Sequence, residues 1–321
     1  MSESTPAGGP VICLMGPTAS GKTDLALGLH ALGGVDIISV DSAMVYRGMD
    51  IGTAKPSASV RARVPHALVD IRDPAQPYSA AEFLTDARAC IADSHAAGRL
   101  PLLVGGTMLY FRALSQGLSP LPAADAGLRA RLEAQASQAG WPAMHRRLAE
   151  VDPDTASRLH PNDAQRIQRA LEVHALTGQP LSRLQREPAA EPSHNGLVKV
   201  AVYPGDRAEL HRRIEQRFEQ MLAQGFIEEV EQLRARADLH RDLPAMRSVG
   251  YRQVWDYLDG MIRPDELAYR GVVATRQFAR RQLTWLRRED NLVWLDSTDA
   301  AVHDKLRQRV GDMLPWGVYQ Q

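Results

Sequence analysis

The chain is predicted to be an α/β protein, a parallel sheet flanked by helices, with an inserted all-helical domain. Two observations predict this class. Short apolar runs alternate with segments of helical periodicity, a pattern typical of a parallel sheet with helices on both faces. Between two such regions, residues 118–194 contain no clear strand. We therefore predict three segments: core residues 1–117, a helical insertion at 118–194, and residues 195–321, which complete the core.

The apolar runs identify the strands in order along the chain. A continuous apolar run indicates a strand buried on both faces, and the predicted strands are Val11–Met15, Val35–Val40, 100–104, 199–203 and 291–295. Helices are predicted at 22–32, 79–97, 128–139, 142–150 and 163–176, and further helices continue to about residue 288. Parallel sheets bind ligands at the carboxyl ends of their strands. Residues 16–23, 41–42 and 105–107 follow three of those ends.

Residues 16–23 (Gly-Pro-Thr-Ala-Ser-Gly-Lys-Thr) match the pattern G-x-x-x-x-G-K-[ST] completely, which predicts a P-loop in the sheet. Glycines let backbone N–H groups turn towards phosphate oxygens, and the following helix adds the positive end of its dipole. Lys22 is expected to reach the terminal phosphates, and the Thr23 hydroxyl to coordinate Mg²⁺. The predicted pyrophosphate-binding residues are Gly16, Thr18, Ala19, Ser20, Gly21, Lys22 and Thr23. The pattern leaves open whether the ligand is ATP or another pyrophosphate.

The acid that accompanies such a loop is in an unusual place. An ordinary ATPase carries it after an apolar strand, but the strand at 100–104 is followed by Gly105-Gly106-Thr107. Asp41 instead follows the strand Val35–Val40, where a carboxylate beside the loop could bind Mg²⁺ or act as a base. The alternative is a structural role, because Asp-Ser pairs favour turns and helix caps.

Bulk charge does not indicate a nucleic-acid partner. Lys plus Arg and Asp plus Glu both total 38, so an RNA-binding surface would need positive charge segregated onto one face. Residues 271–288 hold five arginines and no acid, and on a helix this stripe would follow phosphates, with Phe278 or Trp285 available to stack on bases. The alternative is a solvated helix face, or arginines that pair with acids elsewhere.

Composition also bears on the compartment. The two cysteines, Cys13 and Cys90, are far apart and have no metal-binding spacing, which favours a reducing environment. No segment approaches the ~20 apolar residues that a membrane-spanning helix needs. The sequence therefore predicts a cytoplasmic protein.

Several blocks of the sequence together resemble the tRNA dimethylallyltransferase family, also called tRNA isopentenyltransferases. The resemblance runs from Gly16 to about Arg288. Besides the phosphate loop, the blocks that carry it are Asp41-Ser42 with Tyr46-Arg47, 50–56, 70–74, 104–107, 162–163 with 165–169, 249–253 and 281–287. The sequence departs from the family pattern at Met44, where many members have glutamine, and at Ala67, where a second histidine often follows His66.

The resemblance implies an activity. The family transfers a dimethylallyl group from dimethylallyl pyrophosphate to N6 of the adenine on the 3′ side of the tRNA anticodon. The phosphate loop would then hold the leaving pyrophosphate rather than ATP, with Mg²⁺ as cofactor. Catalytic roles are implied for Lys22 at the leaving group, for Asp41 as acceptor of the N6 proton, and for Thr107, which would position the adenine. We expect a monomer without membrane association.

The resemblance also implies where the tRNA anticodon stem-loop binds. The insertion at 118–194 would clamp the loop, and the arginine-rich segment would hold the arm. The implied tRNA-binding residues are Asp41, Ser42, Ala43, Met44, Thr107, Arg129, Gln165, Arg166, Ile167, Gln168, Arg169, Arg247, Arg252, Arg280, Arg281, Gln282, Thr284, Trp285 and Arg287.

Other functions account for parts of the sequence. A P-loop kinase acting on a nucleoside or small metabolite shares the loop, the fold and Asp41, but leaves the insertion and the acid-free arginine segment unexplained. A prenyltransferase acting on free nucleotides would use the same chemistry without needing a tRNA clamp. An RNA-binding protein without catalytic activity leaves the intact Lys22-Thr23 pair unexplained.

Overall fold

The computed structural model describes residues 9–187 and 196–311. Within these residues, six strands form one parallel sheet in the order β3-β2-β4-β1-β5-β6. The strands are β1 Val11–Met15, β2 Val35–Val40, β3 His66–Ala67, β4 Leu100–Gly105, β5 Leu197–Tyr203 and β6 Leu292–Asp296. The predicted parallel sheet is confirmed. The edge strand β3 was not predicted, because two residues without an apolar run give no strand signal.

Helices flank the sheet or build the insertion. The helices outside the insertion are α1 Lys22–His30, α2 Ala58–Arg63, α3 Ala80–Ala96, α4 Met108–Gln116, α10 Arg207–Ala223, α11 Phe226–Arg234, α12 Tyr251–Leu258, α13 Leu267–Leu286 and α14 Val302–Gly311. The helices of the insertion are α5 Ala126–Ala139, α6 Trp141–Val151, α7 Pro153–Ala156, α8 Ala164–Thr177 and α9 Leu181–Leu184. Over the described ranges, no helix has both the length and the apolar character that crossing a bilayer requires.

The position of β1 explains its composition. β1 pairs with β4 on one side and with β5 on the other, and all five of its residues are buried. One face of the sheet packs against α1 and α14, with Leu14, Leu29 and Leu306 in the same apolar cluster. Each such side chain contributes roughly 1.5–3 kcal/mol by leaving water. This packing holds α1, and therefore the loop before it, at the carboxyl end of β1.

Residues 116–187 belong to a second compact unit. The side chains at the centre of this unit are Leu132, Leu148, Ile167 and Leu171. Local signals bound its helices: the Asp125 side chain caps α5, and Gly178 ends α8 in the left-handed conformation, with φ of 68°. Within the described residues the helical unit therefore spans 116–187; the sequence predicts an insertion at 118–194, of which residues 188–194 lie outside the described residues.

Candidate active site

Three loops meet where adjacent strands end. The sheet order places β4 between β2 and β1, so the segments that follow these strands emerge side by side. A cavity of about 420 Å³ opens there. The phosphate loop, Asp41 and Thr107 line it, and side chains of α10 and α13 complete its wall. The loop and the acid singled out in the sequence therefore share one chamber.

The backbone of the phosphate loop favours the binding of an anion. Ala19 and Gly21 have positive φ angles of 62° and 90°, which turn the chain ahead of α1. Gly21 begins α1 without a side-chain cap, so the first N–H groups of the helix are left for a ligand or water. A Cβ on Gly16 would lie 2.5 Å from the Val202 carbonyl oxygen, so only glycine lets the loop pass this close to β5.

The Lys22 ammonium lies within this loop. Its Nζ donates hydrogen bonds to the carbonyl oxygens of Gly16 (2.9 Å) and Pro17 (2.6 Å). Desolvation lowers the pKa of Lys22 to about 7; repulsion from Arg217 adds to the decrease, and attraction to Asp41 opposes it. The charge of this amine is therefore sensitive to the arrival of an anion.

Arg217 is a second cation of the cavity, and it lies outside the motifs that predict the site. It projects from α10, lines the cavity and donates from Nη2 to the Thr53 carbonyl oxygen (3.3 Å). Desolvation lowers the pKa of its guanidinium, and Asp41 opposes that decrease. A signal was available, because Arg217 shares a helix side with the buried residues Ile214 and Met221. An arginine within an apolar stripe indicates a paired or functional charge.

The two carboxylate oxygens of Asp41 have different surroundings. Oδ1 accepts the backbone N–H groups of Ala43 (2.8 Å) and Met44 (3.1 Å), which is the turn-forming arrangement considered as a structural alternative. In the part of the chain that the structure describes, Oδ2 makes no hydrogen bond or ion pair. The turn therefore holds the carboxylate in one orientation, and Oδ2 remains available to a ligand in the cavity.

Thr107 is joined to the Asp41 turn. Its Oγ1 accepts the Ser42 N–H (3.1 Å) and donates to Ser42 Oγ (3.4 Å), and its own N–H donates to the Val40 carbonyl oxygen (3.2 Å). Because Ser42 follows Asp41 directly, these bonds keep the hydroxyl of Thr107 and the carboxylate of Asp41 on the same rim of the cavity.

Two residues predicted to contact tRNA are buried instead. Gln282 is 5% exposed, and its amide is bonded at both ends within the protein, to Thr18 and Gly106. Ile167 is fully buried in the apolar centre of the helical unit. The side chains of Gln282 and Ile167 are therefore engaged in contacts within the protein, and their assignment to tRNA binding stays a prediction. Neighbouring residues of a helix point to different sides, and a motif block does not separate the buried positions from the exposed ones.

The other predicted tRNA contacts of α13 and its end share an exposed face. They are Arg280, Arg281, Thr284, Trp285 and Arg287. The Trp285 ring lies 5.8 Å from the guanidinium of Arg112, and the Phe278 ring lies 5.8 Å from that of Arg281. Exposed arginines beside aromatic rings form a surface that suits phosphates and unstacked bases.

The predicted tRNA contacts nearer the cavity differ in whether their side chains already form ion pairs within the protein. Arg247 is exposed and lines the cavity. Arg252 is half-buried and pairs with Asp256 (3.4 Å) and Asp242 (3.6 Å). Ser42, Ala43 and Met44 line the cavity beside Asp41. Arg247 is thus the more available of the two arginines.

In the helical unit, a buried carboxylate organises the predicted contacts. Glu172 is fully buried and accepts hydrogen bonds from Arg129 Nε (2.8 Å) and Arg169 Nη1 (2.6 Å). Burial alone would raise the pKa of Glu172, but the hydrogen bonds from Arg129 and Arg169 hold it below its usual value. The remaining candidates lie at the exposed or half-buried surface of α8: Gln165, Arg166 and Gln168. Arg129 and Arg169 are therefore fixed in place by Glu172.

An ion-pair network holds part of the cavity wall. The buried Lys55 Nζ bonds to the carboxylates of Asp50 and Asp70, both at 2.6 Å. Glu229 of α11 accepts the backbone N–H groups of three successive residues beginning at Asp50, and also the Tyr251 hydroxyl (2.5 Å). These contacts give three of the sequence blocks a structural role, which their composition alone did not reveal.

Comparisons with known proteins agree with one another. The family model described as IPP transferase matches residues 44–289. A protein from Alkalilimnicola ehrlichii named tRNA dimethylallyltransferase is 62% identical over 309 residues, covering 96% of this chain and 96% of that protein. A protein of the same name from Halorhodospira halophila is 57% identical over 305 residues, covering 94% of this chain and 98% of that protein.

A solved structure extends the likeness to the fold. The tRNA isopentenylpyrophosphate transferase of Bacillus halodurans is 36% identical, with a TM-score of 0.67, over 95% of this chain and 97% of that chain. The family match covers more than half of the chain, and the relatives are similar along nearly their whole length. The chain therefore belongs to the IPP transferase family.

Proposed function

We propose that the chain transfers a dimethylallyl group from dimethylallyl pyrophosphate to N6 of the adenine on the 3′ side of the tRNA anticodon. One observation carries the proposal: Lys22 and Arg217 line the same cavity as Asp41 and Thr107. The cavity thus joins cations suited to an anionic leaving group with a carboxylate suited to accepting a proton. The name shared by the two relatives, tRNA dimethylallyltransferase, supports the same substrates.

In the proposed reaction, the N6 nitrogen bonds to the allylic carbon as the bond from that carbon to oxygen breaks. The electron pair leaves with the pyrophosphate, so negative charge builds on the leaving oxygen while the carbon develops cationic character. Lys22, Arg217 and the N–H groups at the start of α1 stabilise the negative charge. Because these groups are positioned before the reaction, little reorganisation is needed when the charge develops.

Asp41 is proposed to accept the proton that N6 loses. The lone pair of N6 is delocalised into the purine, which makes the amine a weak nucleophile and gives proton removal an important part in the barrier. Oδ1 is held by the turn, so Oδ2 can be presented to the amine in a fixed direction. Thr107, tied to the same turn through Ser42, would hold the adenine beside it.

We propose that Mg²⁺ assists the leaving group. The Thr23 hydroxyl lines the cavity and is an oxygen donor of the kind that Mg²⁺ prefers. Among residues 9–187 and 196–311, no group of three or more His, Cys, Asp or Glu side chains could hold a metal alone. The residues thus fit an ion that takes few protein ligands. When bound, Mg²⁺ would neutralise part of the pyrophosphate charge.

The proposed RNA partner is the anticodon stem-loop of tRNA. Its phosphates would lie on the exposed arginines of α13, and the helical unit would add contacts through Arg166 and its neighbours. The target adenine has to leave its stack to reach the cavity, which is easiest in a single-stranded loop. We further propose a monomer in the cytoplasm, where the free thiols of Cys13 and Cys90 would stay reduced.

A direct assay tests the proposal. The protein is incubated with an unmodified tRNA that has adenine 3′ of the anticodon, dimethylallyl pyrophosphate and Mg²⁺, and the anticodon-loop fragment is weighed by mass spectrometry. We expect a gain of one dimethylallyl group in place of one hydrogen. A matched tRNA with guanine at that position should gain none. Phosphate transfer from ATP without any prenyl transfer would replace the proposal with the kinase hypothesis.

A further inference from the structure

Gln282 spans two of the loops that form the cavity. Its Oε1 accepts the backbone N–H of Thr18 in the phosphate loop (2.9 Å), and its Nε2 donates to the carbonyl oxygen of Gly106 (2.9 Å), the residue before Thr107. The side chain is buried and lies on α13, the helix with the exposed arginines. One amide therefore connects the loop after β1 with the loop after β4.

The fit around this amide is close. A Cβ built on Gly106 would lie 2.2 Å from Gln282 Nε2 and 3.0 Å from the Gly16 carbonyl oxygen, so the two loops and the amide are in direct contact. A side-chain amide offers an acceptor at one end and a donor at the other, whereas an ionised glutamate offers only acceptors and methionine offers no comparable donor or acceptor. The chemistry of this contact therefore requires glutamine rather than another side chain of its size.

We propose that Gln282 is a positioning residue for the group transfer, and this inference rests on the proposed function. Gln282 fixes the span between the loop that holds the pyrophosphate and Thr107, which holds the adenine. Transfer needs the nitrogen and the allylic carbon to be aligned at about 3–3.5 Å. A change in the span therefore slows the chemical step while both binding surfaces remain.

Two substitutions separate this role from ordinary packing. Gln282→Met keeps the length of the side chain and removes both hydrogen bonds. Gln282→Glu keeps the acceptor for the Thr18 N–H, but when it is ionised it sets a carboxylate oxygen against the Gly106 carbonyl oxygen. The protonated carboxyl restores a donor at that end. The transfer rate of Gln282→Glu, relative to wild type, should therefore rise as the pH falls.

The test measures single-turnover prenyl transfer with saturating anticodon stem-loop and dimethylallyl pyrophosphate, together with the dissociation constant of each substrate and the melting temperature. Gln282→Met should transfer ~10²-fold more slowly than wild type, with unchanged dissociation constants. The control is Gln220→Met on α10, where the side chain is exposed and does not line the cavity; its rate should stay within about twofold of wild type.

Each other outcome overturns the inference in a recognisable way. A Gln282→Met enzyme with the wild-type single-turnover rate, or one whose loss is accounted for by weaker binding, removes the positioning role. If Gln282→Met does not fold, Gln282→Glu provides the test. The inference is then overturned if the single-turnover rate of Gln282→Glu, relative to that of wild type, does not change with pH. A wild-type protein that transfers no prenyl group overturns the proposed function as well, whereas active wild type with fully active variants overturns the inference alone.

Discussion

A catalytic base has to keep one lone pair available while its orientation is fixed. Asp41, the proposed base, lines the cavity and accepts the N–H groups of Ala43 and Met44 at Oδ1, while Oδ2 has no hydrogen-bond partner among the described residues. The structural and catalytic interpretations of this residue are therefore compatible. Lys22 is likewise held by local contacts. Its ammonium donates hydrogen bonds to carbonyl oxygens of the same loop that is proposed to bind the pyrophosphate.

Asp41→Asn separates the two functions of that side chain. The amide oxygen can still accept the two N–H groups, but the basic carboxylate is lost. We expect turnover to fall by ~10²-fold or more, while calorimetry still detects pyrophosphate binding. The control is Asp36→Asn in β2, the strand that Asp41 follows; the Asp36 carboxylate pairs with Arg99 (2.6 Å) and does not line the cavity. Lost pyrophosphate binding with full turnover of bound substrate would make Asp41 a metal-site or structural residue.

The lowered pKa of Lys22 predicts how pyrophosphate binding depends on pH. In the free protein the amine is half-charged at about pH 7. A bound anion favours the charged form and raises this pKa. Binding between pH 7 and the pKa of the bound state therefore takes up a proton, and the affinity falls as the pH rises across this window. Calorimetry in buffers of different ionisation enthalpy measures this uptake.

Lys22→Met supplies the reference for that measurement. The variant retains only the pH dependence that comes from the ionisation of pyrophosphate itself and from other protein groups. The difference between wild type and variant is therefore the contribution of Lys22. An identical pH dependence in the two proteins would show that Lys22 stays charged throughout, or lies away from the ligand.

At the scale of single elements, α10 places a cation inside an apolar face. Its buried residues hold the helix against the core, and Arg217 extends from the same side into the cavity. Arg217→Met keeps the apolar stem and removes the charge. We expect kcat/KM for dimethylallyl pyrophosphate to fall by ~10²–10³-fold, the range for losing one preorganised donor at a developing negative charge.

Arg212→Met is the matched control on α10. The Arg212 guanidinium is exposed and pairs with Glu209 (2.7 Å), so kcat/KM should stay within about twofold of wild type. An equal loss in both variants, accompanied by a lower melting temperature, would assign the effect of Arg217→Met to the stability of α10 and not to the leaving group.

The start of α11 has a structural role that can be measured as stability. Glu229 accepts three successive backbone N–H groups and the Tyr251 hydroxyl. Glu229→Gln replaces one acceptor oxygen with an NH₂ group that faces donors, so the free energy of unfolding should fall by about 1–3 kcal/mol. Urea denaturation measures it. Glu228→Gln, the exposed neighbour in the same helical turn, should leave the free energy unchanged, and equal losses would contradict the assignment.

For the whole molecule, the sheet could be predicted because its central strands carry their signal in consecutive residues. β1, β2 and β4 are buried along almost their whole length, so each is a short stretch made mostly of apolar residues. The phosphate loop was likewise recognised from consecutive residues in the right context. β3 could not be predicted, because its two residues are held as a strand only by pairing with β2.

The contacts that the sequence does not reveal join residues far apart along the chain. Gln282 bonds to Thr18, 264 positions away, and nothing near it in the chain marks that partner. Two further residues have surroundings that the sequence does not reveal: Arg217 lines the cavity, and Ile167 lies in the core of the helical unit. Helical periodicity identifies which residues share a face, but not whether that face meets a cavity, a core or solvent. Charge on an apolar face, as at Arg217, is the signal that could have been used.

The chain as a whole carries no net charge, 38 basic against 38 acidic residues, so its affinity for RNA has to come from where the arginines lie. If α13 presents them to the anticodon arm, replacing Arg280 and Arg287 by glutamine removes two phosphate contacts. The slope of log affinity against log salt concentration should then become shallower by roughly 0.7–0.9 per lost contact. Fluorescence titration of a labelled stem-loop at several salt concentrations measures this slope.

Replacing Arg234 and Arg263 by glutamine provides the control for total charge. Both arginines are exposed, lie outside α13 and pair with the acids Asp259 and Asp265, so the double substitution changes the net charge by the same amount at a different place. The salt slope should stay at the wild-type value in this control, because no phosphate contact is removed. Equal changes in the two double variants would mean that RNA responds to overall charge, and the exposed face of α13 would then lose its assignment as the tRNA-binding surface.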